Sequence, residues 1–190
     1  MIDPAGFATA RMRAEPIGPQ HRDGLVALLG DPRVGQTLAG VRTPAEVDDQ
    51  IARMAAFHAE HGYGWYAWLE RDSGALVARG GLQPARIDGT DEIEVGWAVV
   101  PERWGQGLAT ELGAACVEVA FGPLALDSVV AFTLPGNAGS RRVMEKLGMT
   151  YETTTDYKTY GPHVVYRLNR EAGAMASTST ARVPPRRARR

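Results

Sequence analysis

The chain has 190 residues, 44% hydrophobic and 23% charged, with a formal net charge of −1. That suffices for one domain with its own core and not for two, and no apolar run nears the roughly 18–20 residues of a membrane span. Five arginines (Arg182, Arg186, Arg187, Arg189, Arg190) and no acid lie from Ala172 onward, which leaves −6 on the remainder, a poor match to nucleic acid. The division expected is a single domain over 1–171 and a basic, disordered tail over 172–190. The N-terminus MIDPAGFATARMR has no apolar h-region, so no secretory signal is expected. The one cysteine, Cys116, excludes an internal disulfide or a multi-cysteine metal site and points to a reducing cytoplasm.

In chain order, Ala8–Arg13 alternates like a strand, and Arg22–Leu29 reads as a helix stopped by Gly30 and Pro32. Thr43-Pro44-Ala45-Glu46 is a capping box with proline at the first helical position. Val47, Ile51, Met54 and His58 then fall on one helical face that Gly62 and Gly64 terminate. Trp65–Glu70 and Ala75–Leu82 read as a hairpin across Asp72-Ser73-Gly74, with a second turn at Ile87–Thr90. Ile93, Val95, Trp97 and Val99 form one face of the next strand. Leu108, Leu112, Cys116 and Val119 mark a helix, and Ser128–Leu134 a buried strand. Ala138–Leu147 is a short helix closed by Gly148, and Met149–Thr155 and His163–Leu168 are the last strands. The order βααβββαβαββ is an α+β arrangement, helices packed on a mixed sheet.

The stretch VVPERWGQGLAT (99–110) sets bare backbone between a strand end and a helix start. Unpaired N–H groups, the helix dipole and missing Cβ atoms together make an anion site, for which phosphate is the usual occupant. A Walker loop is absent. A dinucleotide fingerprint fails at its third glycine, where Thr110 stands, and Pro101 and the residues after it separate the turn from its strand. A nucleotide-dependent oxidoreductase is therefore a poor fit.

Glu94–Glu111 resembles the acetyl-CoA-binding motif of GNAT-superfamily N-acetyltransferases, most closely the RimJ/RimL branch that acetylates N-terminal amines of ribosomal proteins. Asn137–Met149 is similar to that branch's second motif, and the element order fits over residues 8–170. Trp104 stands where the general signature has Arg or Gln, as is common in that branch. The resemblance implies a mainly antiparallel sheet of about seven strands with four helices, and acetyl-CoA as acyl donor without a metal. It implies direct attack by a primary amine through a tetrahedral intermediate. The acceptor is a protein N-terminus or a small amine, and the chain is a monomer or homodimer that engages no nucleic acid or membrane. A non-catalytic acyl-CoA-binding module is the alternative.

The pyrophosphate is then expected on the backbone of Trp104, Gly105, Gln106, Gly107, Leu108, Ala109 and Thr110. Pro101 cannot donate a ladder bond, and the family's strands splay there, placing the pantetheine against Trp97, Ala98 and Val99 and on Asn137, which equally reads as an N-cap. Glu94 matches the branch's glutamate as base, and Glu92 shares its strand face. Met144 stands where many members have an acidic tyrosine, and Ser140 matches the serine expected to protonate the thiolate. The early helices and the aromatic loop His58–Trp68 are expected to wall the acceptor pocket. A −6 body suits a cationic acceptor.

Overall fold

The computed structural model describes residues 7–170 except 39 and 159, so the basic stretch from Ala172 lies outside the described residues. The alternation over Ala8–Arg13 does not make one strand. Thr9 N–H donates to the Met12 carbonyl at 2.8 Å while its hydroxyl accepts from Met12 N–H at 3.2 Å. The chain turns back on itself, giving β1 (Phe7–Ala8) and β2 (Met12–Pro16). Helix α1 (Arg22–Gly30) ends as expected. Asp31 and Pro32 then start a helix instead of only stopping one: the Asp31 carboxylate accepts from Arg33 N–H at 2.7 Å, and α2 (Pro32–Gly35) follows. In α3 (Pro44–His61) Thr43 and Glu46 cap each other reciprocally, and Gly62 closes the helix at φ 72°.

Strands β3 (Trp65–Glu70), β4 (Leu76–Ile87) and β5 (Thr90–Val99) form a meander. β4 runs past Leu82 through Pro84, because β3 pairs only as far as Gly81 and a proline beyond it has an edge to face. Asp88 and Gly89 both have positive φ (47° and 81°), the two-residue turn whose twist suits a hairpin. Then come α4 (Leu108–Phe121), β6 (Ser128–Thr133), α5 (Ala138–Lys146), β7 (Thr150–Asp156) and β8 (Pro162–Asn169). The extra strand and helix beside the seven and four expected are β1 and α2.

The eight strands lie in the order β1-β2-β3-β4-β5-β6-β8-β7, antiparallel except for β5 and β6, which run parallel. Helices α4 and α5 cover one face over Trp68, Val95, Leu112, Met144 and Tyr166; α1–α3 cover the other over Leu28, Val47, Trp65 and Ala98. Gly80 seats α4: a Cβ there would stand 2.7 Å from the Gly96 carbonyl and 2.9 Å from both Leu112 methyls. Leu112 is fully buried by this approach, a burial that contributes roughly 1.5–3 kcal/mol. Cys116 lies in the same core, and burial pushes its thiol up to about 12. Among the described residues no helix is long and apolar enough to cross a membrane.

One ladder in this sheet is almost absent. β5 and β6 share a single pair, Glu94 with Val130. Arg167 of β8 ties them below it, reaching across β6 to grip Glu92 with two bonds of 2.8 and 3.0 Å. It also donates to Ser128 at 3.0 Å and to Glu152 of β7 at 3.0 Å. Arg167→Met leaves the largely buried Glu92 carboxylate unpaired, and the expected loss is on the order of 2 kcal/mol. A fall in the urea midpoint at unchanged slope would show it; an unmoved midpoint would show that the clamp contributes nothing.

Candidate active site

Past the Glu94–Val130 pair the two strands part. β5 continues paired to β4 as far as Val99 opposite Ala78, and β6 continues on β8 as far as Thr133 opposite Val164. Trp97, Ala98 and Val99 therefore lie on an edge that faces a gap. Trp97 and Val99 turn toward the α4 core and Ala98 toward the α1–α3 core. The sequence placed the opening near Pro101, and it starts earlier, at Val95.

The chain leaves β5 through a short 3-10 turn, Pro101–Arg103. Trp104, 47% exposed, donates its indole N–H to the Val99 carbonyl at 2.7 Å, which pins the turn to the strand end and leaves much of the ring open to solvent. Gly105 and Gly107 take φ 75° and 80°, where a side chain is strained, and Gly107 is the N-cap of α4 with no side-chain cap. The first backbone bond of the helix runs from Glu111 N–H to the Gly107 carbonyl. The six N–H groups of Gly105, Gln106, Gly107, Leu108, Ala109 and Thr110 have no backbone partner among the described residues. Such a run of donors at a helix start suits an anion.

Arg11, which no sequence signal marked, holds this turn from the connection between β1 and β2. It donates to the Gln106 carbonyl at 2.8 Å and to Glu111 at 2.6 Å, and its own N–H reaches Glu111 at 2.9 Å. Its neighbours lie 95 and 100 residues away in the chain, so no local pattern could have shown it.

On the opposite face Glu94 is 8% exposed. Its Oε2 accepts from Gln83 at 2.6 Å. Burial pushes its carboxyl above the ordinary range; the Gln83 bond and the charges of Arg79 and Lys158 pull it part of the way back. Glu92, two residues earlier on the same face, is instead locked to Arg167, and the structure separates the two glutamates that sequence spacing left equivalent.

Around Glu94 the strands carry small residues for a reason. A Cβ on Gly96 would stand 3.0 Å from Glu94 Oε1 and 3.1–3.2 Å from the Trp65 ring, so both groups close over that glycine. Arg79, opposite Ala98, lays its guanidinium over Trp65 with 4.7 Å to the centroid and donates to Gln50 of α3 at 2.9 Å. Burial lowers the Arg79 guanidinium to about 10, against the raising charge of Glu94, so it stays protonated at neutral pH. Its Nε and the indole Nε1 of Trp65 are buried without a partner among the described residues.

The aromatic loop is mostly core. Tyr66 and Trp68 are buried under α4, and Tyr63 packs against the same cluster; Trp65 alone joins the Glu94 face. His58 rests edge-on to Tyr66, and burial lowers its pKa. Asn137 caps α5: it accepts from Ser140 N–H at 3.1 Å and donates to Thr133 at 2.9 Å, tying the helix to the end of β6 at the mouth of the gap. Ser140 lies in the first turn, and Met144 is fully buried core. Among the described residues no group of three or more His, Cys, Asp or Glu could hold a metal ion.

A parted parallel pair, a donor-rich turn and a buried carboxylate agree with the match of the acetyltransferase (GNAT) domain model to residues 11–150. The chain belongs to the GNAT acetyltransferase family. It is 34% identical over 151 residues to YkkB of Bacillus subtilis (strain 168), covering 78% of this chain and 87% of that protein. It is 32% identical over 180 residues to the FsC-acetyl coenzyme A-N(2)-transacetylase of Aspergillus fumigatus, covering 86% and 75% respectively. The solved ribosomal-protein-S5-alanine acetyltransferase from Vibrio fischeri superposes with a TM-score of 0.73 over 87% of this chain and 97% of that one, at 13% identity, an agreement of fold. GNAT membership makes the chain an acyltransferase of the acetyl-CoA-dependent, amine-acetylating kind.

Because the folded pKa of Glu94 lies above its unfolded value, the carboxyl takes up a proton on folding. Its contribution is present at low pH and is lost as pH rises through the folded value. Wild type should therefore lose stability relative to Glu94→Gln as pH rises above the usual carboxylate range. Urea curves from pH 4 to 8 would show the divergence; parallel curves would show an ordinary carboxylate.

Proposed function

We propose that acetyl-CoA lies along the parted edge of β5, with its pyrophosphate on the N–H groups of Gly105–Thr110 and its pantetheine beside Trp97, Ala98 and Val99. The single pair between β5 and β6, immediately before the donor-rich turn, carries this reading. It is supported by the φ of Gly107 and by the bond that Arg11 makes to the Gln106 carbonyl, which holds the turn in place. Trp104 pins the turn to the strand end, and Asn137, besides capping α5, edges the same gap.

Glu94 is the base. Its Oε1 is free of the Gln83 bond and lies against the Trp65 ring edge over Gly96. An α-amine has a pKa near 8, so its proton must leave before or during attack. As the amine nitrogen bonds to the acetyl carbon and the carbon–sulfur bond breaks, Glu94 takes the amine proton. A backbone N–H on the free β5 edge stabilises the carbonyl oxygen. Ser140 gives the departing thiolate its proton and regains one from solvent, while Glu94 releases the amine proton to solvent. Burial suits Glu94 to the task, since a carboxyl raised from its ordinary range is a stronger proton acceptor. Glu92 has no such role, because Arg167 occupies both its oxygens.

The acceptor is a primary amine, and the RimJ/RimL resemblance of Glu94–Glu111 favours an α-amine, in a protein N-terminus or in a small molecule. A reducing, cytoplasmic setting fits that reading. Thiol release from acetyl-CoA against peptides, amino acids, polyamines and aminoglycosides tests it. Release with α-amines supports it, and silence with acetyl-CoA bound would leave an acyl-CoA-binding module.

Two variants separate the roles. Gly107→Glu should abolish acetyl-CoA binding by calorimetry, because it puts a carboxylate at the expected phosphate position on a strained φ; unchanged affinity would remove the cofactor site. Glu94→Gln should cut turnover by about 10²-fold or more while acetyl-CoA affinity stays within about twofold. Wild-type turnover across pH 6–9 would take Glu94 out of the base role.

A further inference from the structure

The Glu94 face holds donors that the fold leaves unmatched. Arg79 spends one N–H on Gln50, but its Nε–H is buried with no partner among the described residues, and so is the indole N–H of Trp65 beneath it. A buried donor without an acceptor costs roughly 1–3 kcal/mol, and native structures hold few of them. Here two are stacked together. Both groups donate only, so whatever completes them offers acceptor oxygens.

Their position says what else that partner carries. The Trp65 ring edge and Glu94 Oε1 both come within 3.2 Å of one point over Gly96, so the unmatched donors border the assigned base. Cations gather around Glu94. Arg79 from β4 and Lys158 from the β7–β8 turn both act on Glu94, and Arg42 acts on Arg79. Lys158 sets its ammonium 4.9 Å from the Tyr157 ring, at φ 51°. The −6 of the body, which suggested a cationic acceptor, is not what a molecule bound here meets.

We propose that the amine acceptor of this enzyme carries a carboxylate, bound by the free Nε–H of Arg79 and the indole N–H of Trp65 with the amine turned to Glu94. This rests on the acetyl-transfer reading of the site. A guanidinium suits the task because it stays charged and presents a planar fork to carboxylate oxygens, and such charge-assisted bonds are stronger than neutral ones. A neutral carbonyl would fill the donors but leave the excess positive charge unanswered. The carboxylate belongs to a free amino acid or to an acidic residue beside a peptide's N-terminus, and the two sources share the chemistry.

The test uses the full chain and matched pairs: amino acids against their amides, and peptides with Asp or Glu against Asn or Gln at the second position. Binding to the CoA-loaded protein is read by calorimetry, and transfer by thiol release. At least one acid should bind and turn over tenfold or more better than its neutral partner. Arg79→Gln should bring that ratio near one. Trp65→Phe, which removes the indole N–H and keeps a six-membered aromatic ring under Arg79, should lower it severalfold in a variant whose cooperative thermal transition shows it folded. Preference within the amino-acid pairs would assign the free acid, and within the peptide pairs the side chain. Equal binding of acid and neutral partners, no acid bound at all, or an acid preference surviving in folded Arg79→Gln would overturn the proposal. Acids bound through Arg79 without thiol release would instead overturn the acetyl-transfer reading and leave the carboxylate site standing.

Discussion

The molecule depends on a hydrogen-bond ladder that stops after one pair. Parallel neighbours in a sheet ordinarily satisfy each other's backbone. Here β5 and β6 meet at Glu94 and Val130 and then diverge. A backbone edge left open inside a domain is costly, and the surrounding contacts keep it open. Above the divergence, α4 is seated on β4 and β5 through Leu112 against Gly80. At the strand end, the Trp104 indole takes the Val99 carbonyl and Pro101 offers no donor. Below it, Arg167 fastens β5 to β8 across the intervening strand. The opening is thus held by contacts above it, at the strand end and below it.

The same strand shows how position divides the work of two identical side chains. Glu92 and Glu94 share a face and a charge, yet Glu92 lies beside the arginine that closes the sheet and Glu94 lies where the sheet has begun to open. The first is neutralised by a fork of hydrogen bonds. The second keeps one oxygen on Gln83 and is otherwise desolvated, which raises its pKa. Two residues of strand, roughly 6.6 Å, separate a clamp from a desolvated carboxylate, the proposed base.

What could be read from the sequence follows from how far apart the cooperating residues are. The capping box at Thr43, the Asp88-Gly89 turn and the glycine turn before α4 are each made by neighbours in the chain. Their signals are local, and the structure contains all three. The Thr9 turn and the Asp31-Pro32 start were also local but ambiguous. Strand alternation continued through the first, and a proline that begins a helix looks like one that ends it. Arg11 could not be found, because its partners are Gln106 and Glu111. The aromatic loop misled for a different reason: alternation along β3 sends Tyr66 and Trp68 to one core and Trp65 to the other face, and composition does not register that parity.

This difference in range has a consequence for how such an enzyme is recognised. In the proposed reading the donor side is one run, Glu94 to Thr110, joined by Asn137 and Ser140 at the next strand–helix junction. It is short enough in sequence to survive as a motif and to announce the family. The proposed acceptor side draws on Gln50 from α3, Trp65 from β3, Arg79 and Gln83 from β4 and Lys158 from the β7–β8 turn. Each alone is an ordinary polar or aromatic residue with an adequate structural reason to exist. Their meaning appears only when the sheet brings them together, and then it opposes the charge of the whole chain. Net charge governs long-range encounter, whereas a half-buried site answers to the few groups within hydrogen-bond reach and within a low local dielectric. In the proposed reading acceptor choice follows local charge pairing, and a chain of negative body charge still gathers cations at the Glu94 face.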